Sequence, residues 1–505
     1  MLSAPTTIDA LAIYDLLYSE PMVTNWTSLH ASLGPAAVPT PHYPLDATTF
    51  SGSDIGAQIN AAFASLPASG GTVLLPSSAT PYVATTQITV RANCRLLMEA
   101  LTLQASAPIL CADGSSIVGI GIQSIIQPSG HTGSLSYAVT NVGNIGLNEG
   151  KATANSDLRL SSFYIDANAT GNSVNSMGGI RLVNCTNCLI EHVVVRHTKG
   201  PHACGIRSFR GERNTFFHCT VENCSYIGLS IALDTQWNIS HCYAINNGNN
   251  GIDTGIGASQ GQVVGCECTG NGGNGFNPDT SSDVQVIGGN FSGNTQHGIA
   301  VTNLQRNLSI VGVRAMGNTH SGIFVNNNAD NVTISGCCIA ENMQQGILIN
   351  ASSSVTVTGC EITNNGRAST NMSDGIMIRS AGGKAAKNII VGNIIKGASQ
   401  RYGVSEDSTG GGTVGSNIIA LNYLMENGSG AVDNLSSSTQ TFGNHVDSTG
   451  VIALSTPTGF GNGSAATPVT TTTRHNGSGP STPQTIVKYM EVNLAGTSYW
   501  IPLVQ

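Results

Sequence analysis

The feature that most constrains this chain is a glycine followed by an apolar residue, returning at a near-constant interval between residues 179 and 403. It occurs at Gly179-Ile180, Gly205-Ile206, Gly228-Leu229, Gly251-Ile252, Gly275-Phe276, Gly298-Ile299, Gly322-Ile323, Gly346-Ile347, Gly375-Ile376 and Gly403-Val404. The steps are 26, 23, 23, 24, 23, 24, 24, 29 and 28 residues. A period of this size marks a solenoid, because one unit is too small to bury its own apolar face and must stack on the next. Within a unit the residues one and three after the glycine are mostly apolar, as in Leu229/Ile231, Ile299/Val301 and Ile347/Ile349. Alternation by two assigns these to the interior and leaves the residues two and four after the glycine outside.

Further columns agree with stacked strands. A second apolar run follows the first in each unit, as in NVTISGCCI and SVTVTGCEI. Four residues before the glycine stand Asn247, Asn271, Asn294, Asn318 and Asn342, which predicts a ladder of turn amides bonding from coil to coil. Cys219, Cys242 and Cys266, rejoined by Cys337 and Cys360, form a column of inward thiols rather than a disulfide framework. Leucine-dense units and units of helical period are absent. The expected fold is therefore all-β: a right-handed parallel β-helix with an N-terminal capping helix and a C-terminal β-hairpin.

Residues 1–44 read as an N-terminal arm with a short helical pattern, and residues 45–445 as the β-helix. A capping helix is expected near 53–66, with Ser53 as N-cap, Ile55, Ile59, Ala62 and Phe63 as its apolar stripe, and Pro67 ending it. Residues 446–505 read as a Ser/Thr/Gly-rich linker followed by a hairpin about Asn493–Gly496. Charged residues make up only 10% of the 505, and the net charge is −8 with no basic run, so no nucleic acid partner is expected. No apolar run reaches the roughly 18 residues of a membrane span, so none is expected. The first residues lack the basic and apolar regions of a signal peptide. A secreted or periplasmic protein whose signal is not part of this sequence is the expectation, with a cytoplasmic one as the alternative.

The segments DIGAQINAAFASLPASGGTVLLP, SIVGIGIQSIIQPSG and LRLSSFYIDAN, with the array from Gly179, resemble the pectate-lyase-like superfamily of right-handed parallel β-helix proteins. The resemblance spans roughly residues 45–445. It implies a poly- or oligosaccharide partner, and a chemistry drawn from glycoside hydrolases, lyases, epimerases, transglycosylases or tailspikes. The terminal KYMEVNLAGTSYWIPLV is similar to closing hairpins of tailspike-like β-helix proteins, which implies a homo-oligomer, with a trimer favoured. Of the motifs of polygalacturonase-type hydrolases, only Asn277-Pro278-Asp279, Asp253 and His297-Gly298 have counterparts here. No carboxylate cluster with the look of a calcium cage is present, and no cofactor or metal is expected.

The outward column two after the glycine reads Arg181, Arg207, Ser230, Asp253, Asn277, Ala300, Phe324, Leu348, Met377. Polar residues are thus concentrated in a few consecutive coils. Asp253 and Asp279 belong to adjacent coils and are offset by two residues, which puts their Cβ atoms about 8 Å apart. That suits a general acid facing a water-activating base, while side-chain reach bringing the carboxyls to about 5 Å would suit retention, and Asp234 is a third candidate carboxylate. Arg181 and Arg207 are placed to hold an acidic sugar substituent. Asn277, His297 and His320 are further substrate-binding candidates, and Trp237 a candidate sugar platform beside Phe324 and Tyr226. His218 and His241 are expected to stack on another face. The expected function is cleavage or rearrangement of glycosidic bonds by carboxylate acid/base chemistry. A polysaccharide lyase or epimerase acting on a uronan is the first alternative, and a non-catalytic glycan-binding fibre the second.

Overall fold

The computed structural model describes residues 43–143, 154–168, 170–303, 306–369, 372–433 and 436–447, and the backbone of 488–494 and 497–503. The arm over 1–42 and most of the linker lie outside the described residues. Successive turns of the chain stack as coils whose strands pair in parallel, each with its counterpart one coil on. One sheet contains 14 strands, from Thr89–Val90 through Ile252–Gly255 to Gly430–Asp433. The other faces of the coil build a 22-stranded and a 6-stranded sheet. The register is that of the sequence columns: Ile206 pairs with Leu229, Leu229 with Ile252, and Ile252 with Phe276.

The residues one and three after the glycine are buried; all of the former, and Leu182, Ile231, Val301, Val325, Ile349 and Ile378 of the latter, belong to one apolar core cluster that extends from Ala47 to Leu424. The repeated glycine is required by proximity, not by backbone sign. A Cβ on Gly275 would stand 2.6 Å from the carbonyl oxygen of Gly298 and 2.8 Å from Asn294 Nδ2. Glycine column and amide ladder are therefore packed against each other. In the ladder, Asn271 Oδ1 accepts from both the backbone N–H (3.0 Å) and Nδ2 (3.0 Å) of Asn247. The same pattern repeats from Asn271 to Asn294, Asn318, Asn342 and Asn365, and then to Gln400. All these side chains are buried, and each Asn Nδ2 also donates to a backbone carbonyl one coil back, which satisfies the turn internally. All thirteen cysteines are free thiols, and only Cys338 is exposed.

The N-terminal helix is Ile55–Ser65, with Ile55, Gly56, Ile59, Ala62 and Phe63 on its buried face. Its N-cap is Asp54 rather than Ser53. Asp54 accepts from Ala57 N at 3.0 Å and also from Thr86 N and the hydroxyls of Thr85 and Thr86, which ties the helix to the first coils. Burial works against the charge of Asp54, yet these hydrogen bonds outweigh it and hold its pKa near 2. The carboxylate satisfies several donors at once where a serine hydroxyl would satisfy one. Ile59 and Phe63, at full burial, each contribute about 2 kcal/mol by removing apolar surface from water. Strands Lys488–Leu494 and Thr497–Leu503 form the expected antiparallel hairpin. No helix among the described residues is long and apolar enough to cross a membrane.

Candidate functional site

The outward column on the 14-stranded sheet brings the polar candidates into one line. Arg181 is in register with Arg207, Arg207 with Ser230, Ser230 with Asp253, and Asp253 with Asn277. Parallel pairing without a register shift fixes these neighbours about 4.8 Å apart. The Arg181 guanidinium lies 5.6 Å from the Tyr137 ring centroid, and that of Arg207 lies 5.6 Å from Phe209. Both are cation–π distances.

Asp253, half-buried, is the best-defined carboxylate on this face. Its Oδ2 accepts from Asn250 Nδ2 at 2.8 Å and from Asn277 Nδ2 at 3.0 Å. Among the described residues no donor reaches Oδ1, and the neighbour on that side is Gly255, where a Cβ would stand only 3.1 Å away. The two oxygens are thus unequal: one is anchored and the other lies open. Burial raises the pKa of Asp253 above the usual carboxylate value, and the charge of Asp279 adds to the rise. The Asn277 and Asn250 amides and the Arg207 charge oppose it, without cancelling it.

Asp279 is half-buried on the next coil, two residues beyond Asn277. Its Oδ1 accepts from Asn303 Nδ2 at 2.7 Å and from the Thr302 hydroxyl at 3.4 Å, so its side chain reaches forward to the following coil.

Two candidates are corrected. Asp234 is fully buried: its Oδ1 accepts from Gly211 N and its Oδ2 from the Ser208 hydroxyl. Burial pushes its pKa up to about 6, while these bonds, Asn214 and the Arg207 charge pull the other way. Its two oxygens are spent on holding the Ser208–Gly211 turn, and none of its surface is exposed. Trp237 is 1% exposed, and its ring lies so close to Gly261 on the next coil that a Cβ there would overlap it. It is a core residue and offers no surface to a sugar.

His297 and His320 are half-buried and face each other edge-on, with centroids 5.1 Å apart. His297 stacks on Phe324 at 4.5 Å with 18° between the ring planes. Its Nδ1 accepts from Ser321 N at 3.2 Å, which leaves the ring proton on Nε2. His202, exposed, meets Tyr226 edge-on at 6.2 Å. On another face His192, His218 and His241 stack at 5.4 and 5.2 Å.

The sequence reasoning missed Asn250 and Asn274. The signal was present, one residue before the glycine: Asn250, Asn274, His297, Ser321, Gln345 and Asp374 are all polar. In the fold this column is a second amide ladder beside the outward one. Asn250 Oδ1 accepts from Asn274 N at 2.9 Å and from its Nδ2 at 3.2 Å, and Asn274 Oδ1 accepts from His297 N at 3.1 Å.

The family model for the right-handed β-helix region matches residues 157–286 and 228–383. Among curated proteins none matches the chain. The A-module of mannuronan C-5 epimerase AlgE6 from Azotobacter vinelandii superposes with a TM-score of 0.57 at 15% identity, covering 80% of this chain and 99% of that one. The A-module of mannuronan C-5 epimerase AlgE4 from the same organism gives 0.50 at 16% identity, with 80% and 99% covered. At such identities the likeness is one of fold. By its repeat, its register and the family model it matches over residues 157–383, the chain folds as a right-handed parallel β-helix.

Proposed function

We propose that this protein acts on a poly- or oligosaccharide, cleaving or rearranging a glycosidic bond with Asp253 as general acid and Asp279 as its partner carboxylate. The observation that carries the reading is the inequality of the two oxygens of Asp253. Oδ2 is anchored by two amides, while Oδ1 is open and belongs to a carboxyl whose pKa burial has raised. A general acid needs a proton it can hold at working pH and an oxygen free to deliver it. Asp279, one coil on and offset by two residues, gives a Cβ separation of about 8 Å. With the Asp279 side chain turned forward to Thr302 and Asn303, the two carboxyls stand apart rather than together, which favours a water between them and hence inversion over the roughly 5 Å spacing of retention. Arg207, half-buried two coils back, holds an acidic substituent, while Arg181, one coil further, is buried at 3% exposure and is set aside as a binding residue. A polysaccharide is met mainly outside the cytoplasm, which favours a secreted or periplasmic protein, and the closing hairpin favours a trimer.

A second reading is a lyase or epimerase on a uronan. The half-buried Arg207 in line with Asp253 supports it, because a guanidinium beside a uronate carboxylate offsets its charge and makes the neighbouring C–H more acidic. It also agrees in substrate class with the mannuronan C-5 epimerases that share the fold. The test is incubation with neutral and acidic polysaccharides in deuterated water, followed by mass spectrometry and ultraviolet absorbance of the products. Saturated cleavage products lost in both Asp253→Asn and Asp279→Asn support the first reading. Unsaturated uronate ends, or deuterium gained without cleavage, overturn it in favour of the second. No product from a broad panel leaves the glycan-binding fibre.

A further inference from the structure

Beyond Asn277 the outward face changes character. The column continues as Ala300, Phe324, Leu348 and Met377, in register from coil to coil. The column beside it there is His297, Ser321 and Gln345. From Ala300 to Leu348 these two columns carry no charge, which returns only at Asp374 in the coil of Met377; Ala300 and Leu348 are buried, and Phe324 between them is half-buried. Phe324 lies three coils from Asp253, about 14 Å along the solenoid axis.

We propose that His297, Phe324 and His320 form a saccharide-stacking subsite for an uncharged sugar face, on the side of Asp253 away from Arg181 and Arg207. The inference rests on the reading that this face takes a glycan, and it adds a direction to it. An acidic unit lies at Arg207, the scissile bond at Asp253, and a unit held by ring stacking and one hydroxyl contact at Phe324. The apolar face of a pyranose packs on an aromatic ring, and the half-buried Phe324, backed by His297 at 4.5 Å, is held rigid for that purpose. With Ser321 N on Nδ1, the Nε2–H of His297 is the donor left for a sugar hydroxyl, and among the described residues nothing accepts from it. Burial first, and then the neighbouring His320, holds the pKa of His297 near 3, so the ring stays neutral at any ordinary pH. A carboxylate arriving there would find no counter-charge on these columns, which restricts the subsite to an uncharged face.

The test is calorimetric titration of the Asp253→Asn protein with oligogalacturonates and cello-oligosaccharides of increasing length. Phe324→Ala is expected to weaken binding about three- to ten-fold for cello-oligosaccharides long enough to reach the subsite, and to leave the shortest of them and the oligogalacturonates unchanged. Phe324→Trp should restore the affinity, which separates loss of the platform from loss of the fold. Arg207→Ala should weaken the acidic series at every length. Phe324→Ala binding like its parent at all lengths, while Arg207→Ala binds more weakly, overturns the subsite and leaves the catalytic reading standing. A length-dependent loss in Phe324→Ala, when the protein with Asp253 intact turns over none of these oligosaccharides, supports the subsite and overturns the catalytic reading instead. Failure of both probe series to bind overturns both.

Discussion

Asn277 stands in register with Asp253 on the next coil and donates its Nδ2 to Asp253 Oδ2 at 3.0 Å. The bond favours the ionised carboxylate, as does that from Asn250, and together they oppose the effect of burial. Asn277→Ala should therefore raise the pKa of Asp253, since its charged form loses a donor. If Asp253 is the proton donor, the alkaline limb of the kcat/KM profile moves to higher pH. A limb that stays in place, or moves lower, counts against that role. Asp253→Asn should lower kcat at least about a hundred-fold.

The amide ladder makes a large stability prediction from one side chain. Asn294 Oδ1 accepts from Asn271 N and Nδ2, and its Nδ2 donates to Cys268 O and Asn318 Oδ1, all in buried surroundings. Asn294→Ala leaves those partners unsatisfied and should cost about 3 kcal/mol or more. The neighbouring Thr295, which is exposed, should tolerate alanine within about 0.5 kcal/mol. Chemical unfolding of both variants checks the contrast.

Two kinds of glycine should respond differently. Gly275→Ala forces a Cβ against the Gly298 carbonyl oxygen and the ladder amide of Asn294, and should cost about 3 kcal/mol. Gly288 has φ +61° with nothing within 4 Å of a would-be Cβ. There asparagine, which tolerates the left-handed region, should cost less than alanine, whose penalty is about 1 kcal/mol. The aligned position one coil back from Gly265 is His241, at φ 52°. Thermal unfolding of the three variants orders them.

His297 makes the fold acid-sensitive. Its folded pKa of about 3 lies below the ordinary 6.5, so the unfolded chain binds the proton first. The sign follows: stability is full above the unfolded pKa and declines as pH falls below it. Between pH 7 and pH 5 the loss should be about 2 kcal/mol. His297→Leu should remove that part of the slope, and equal slopes in the two proteins would contradict it.

Much of this molecule was legible as columns. The glycine–apolar period, the interior alternation, the line from Arg181 to Asn277 and the amide ladder all follow from local spacing, because stacked coils of equal length keep one register. Asp54 displaced Ser53 as the helix cap because its contacts with Thr85 and Thr86 come from more than thirty residues away. Asn250 was missed because its partner for Asp253 comes from the turn before the strand, where alternation by two says nothing.

The sequence by itself determined the solenoid, its register and the face on which polar residues gather, since strand periodicity and coil length are local properties. Only the tertiary structure decided which of those residues meet solvent. Asp234 and Trp237 lie past the strand Leu229–Ala232, where Leu233 and Gln236 adopt φ of 58° and 54°. Those left-handed positions turn the chain and end the alternation, so counting along the strand no longer says where Asp234 and Trp237 point, and the fold carries both into the interior. Asp253 stays within its strand, and there the count keeps it on the outer face.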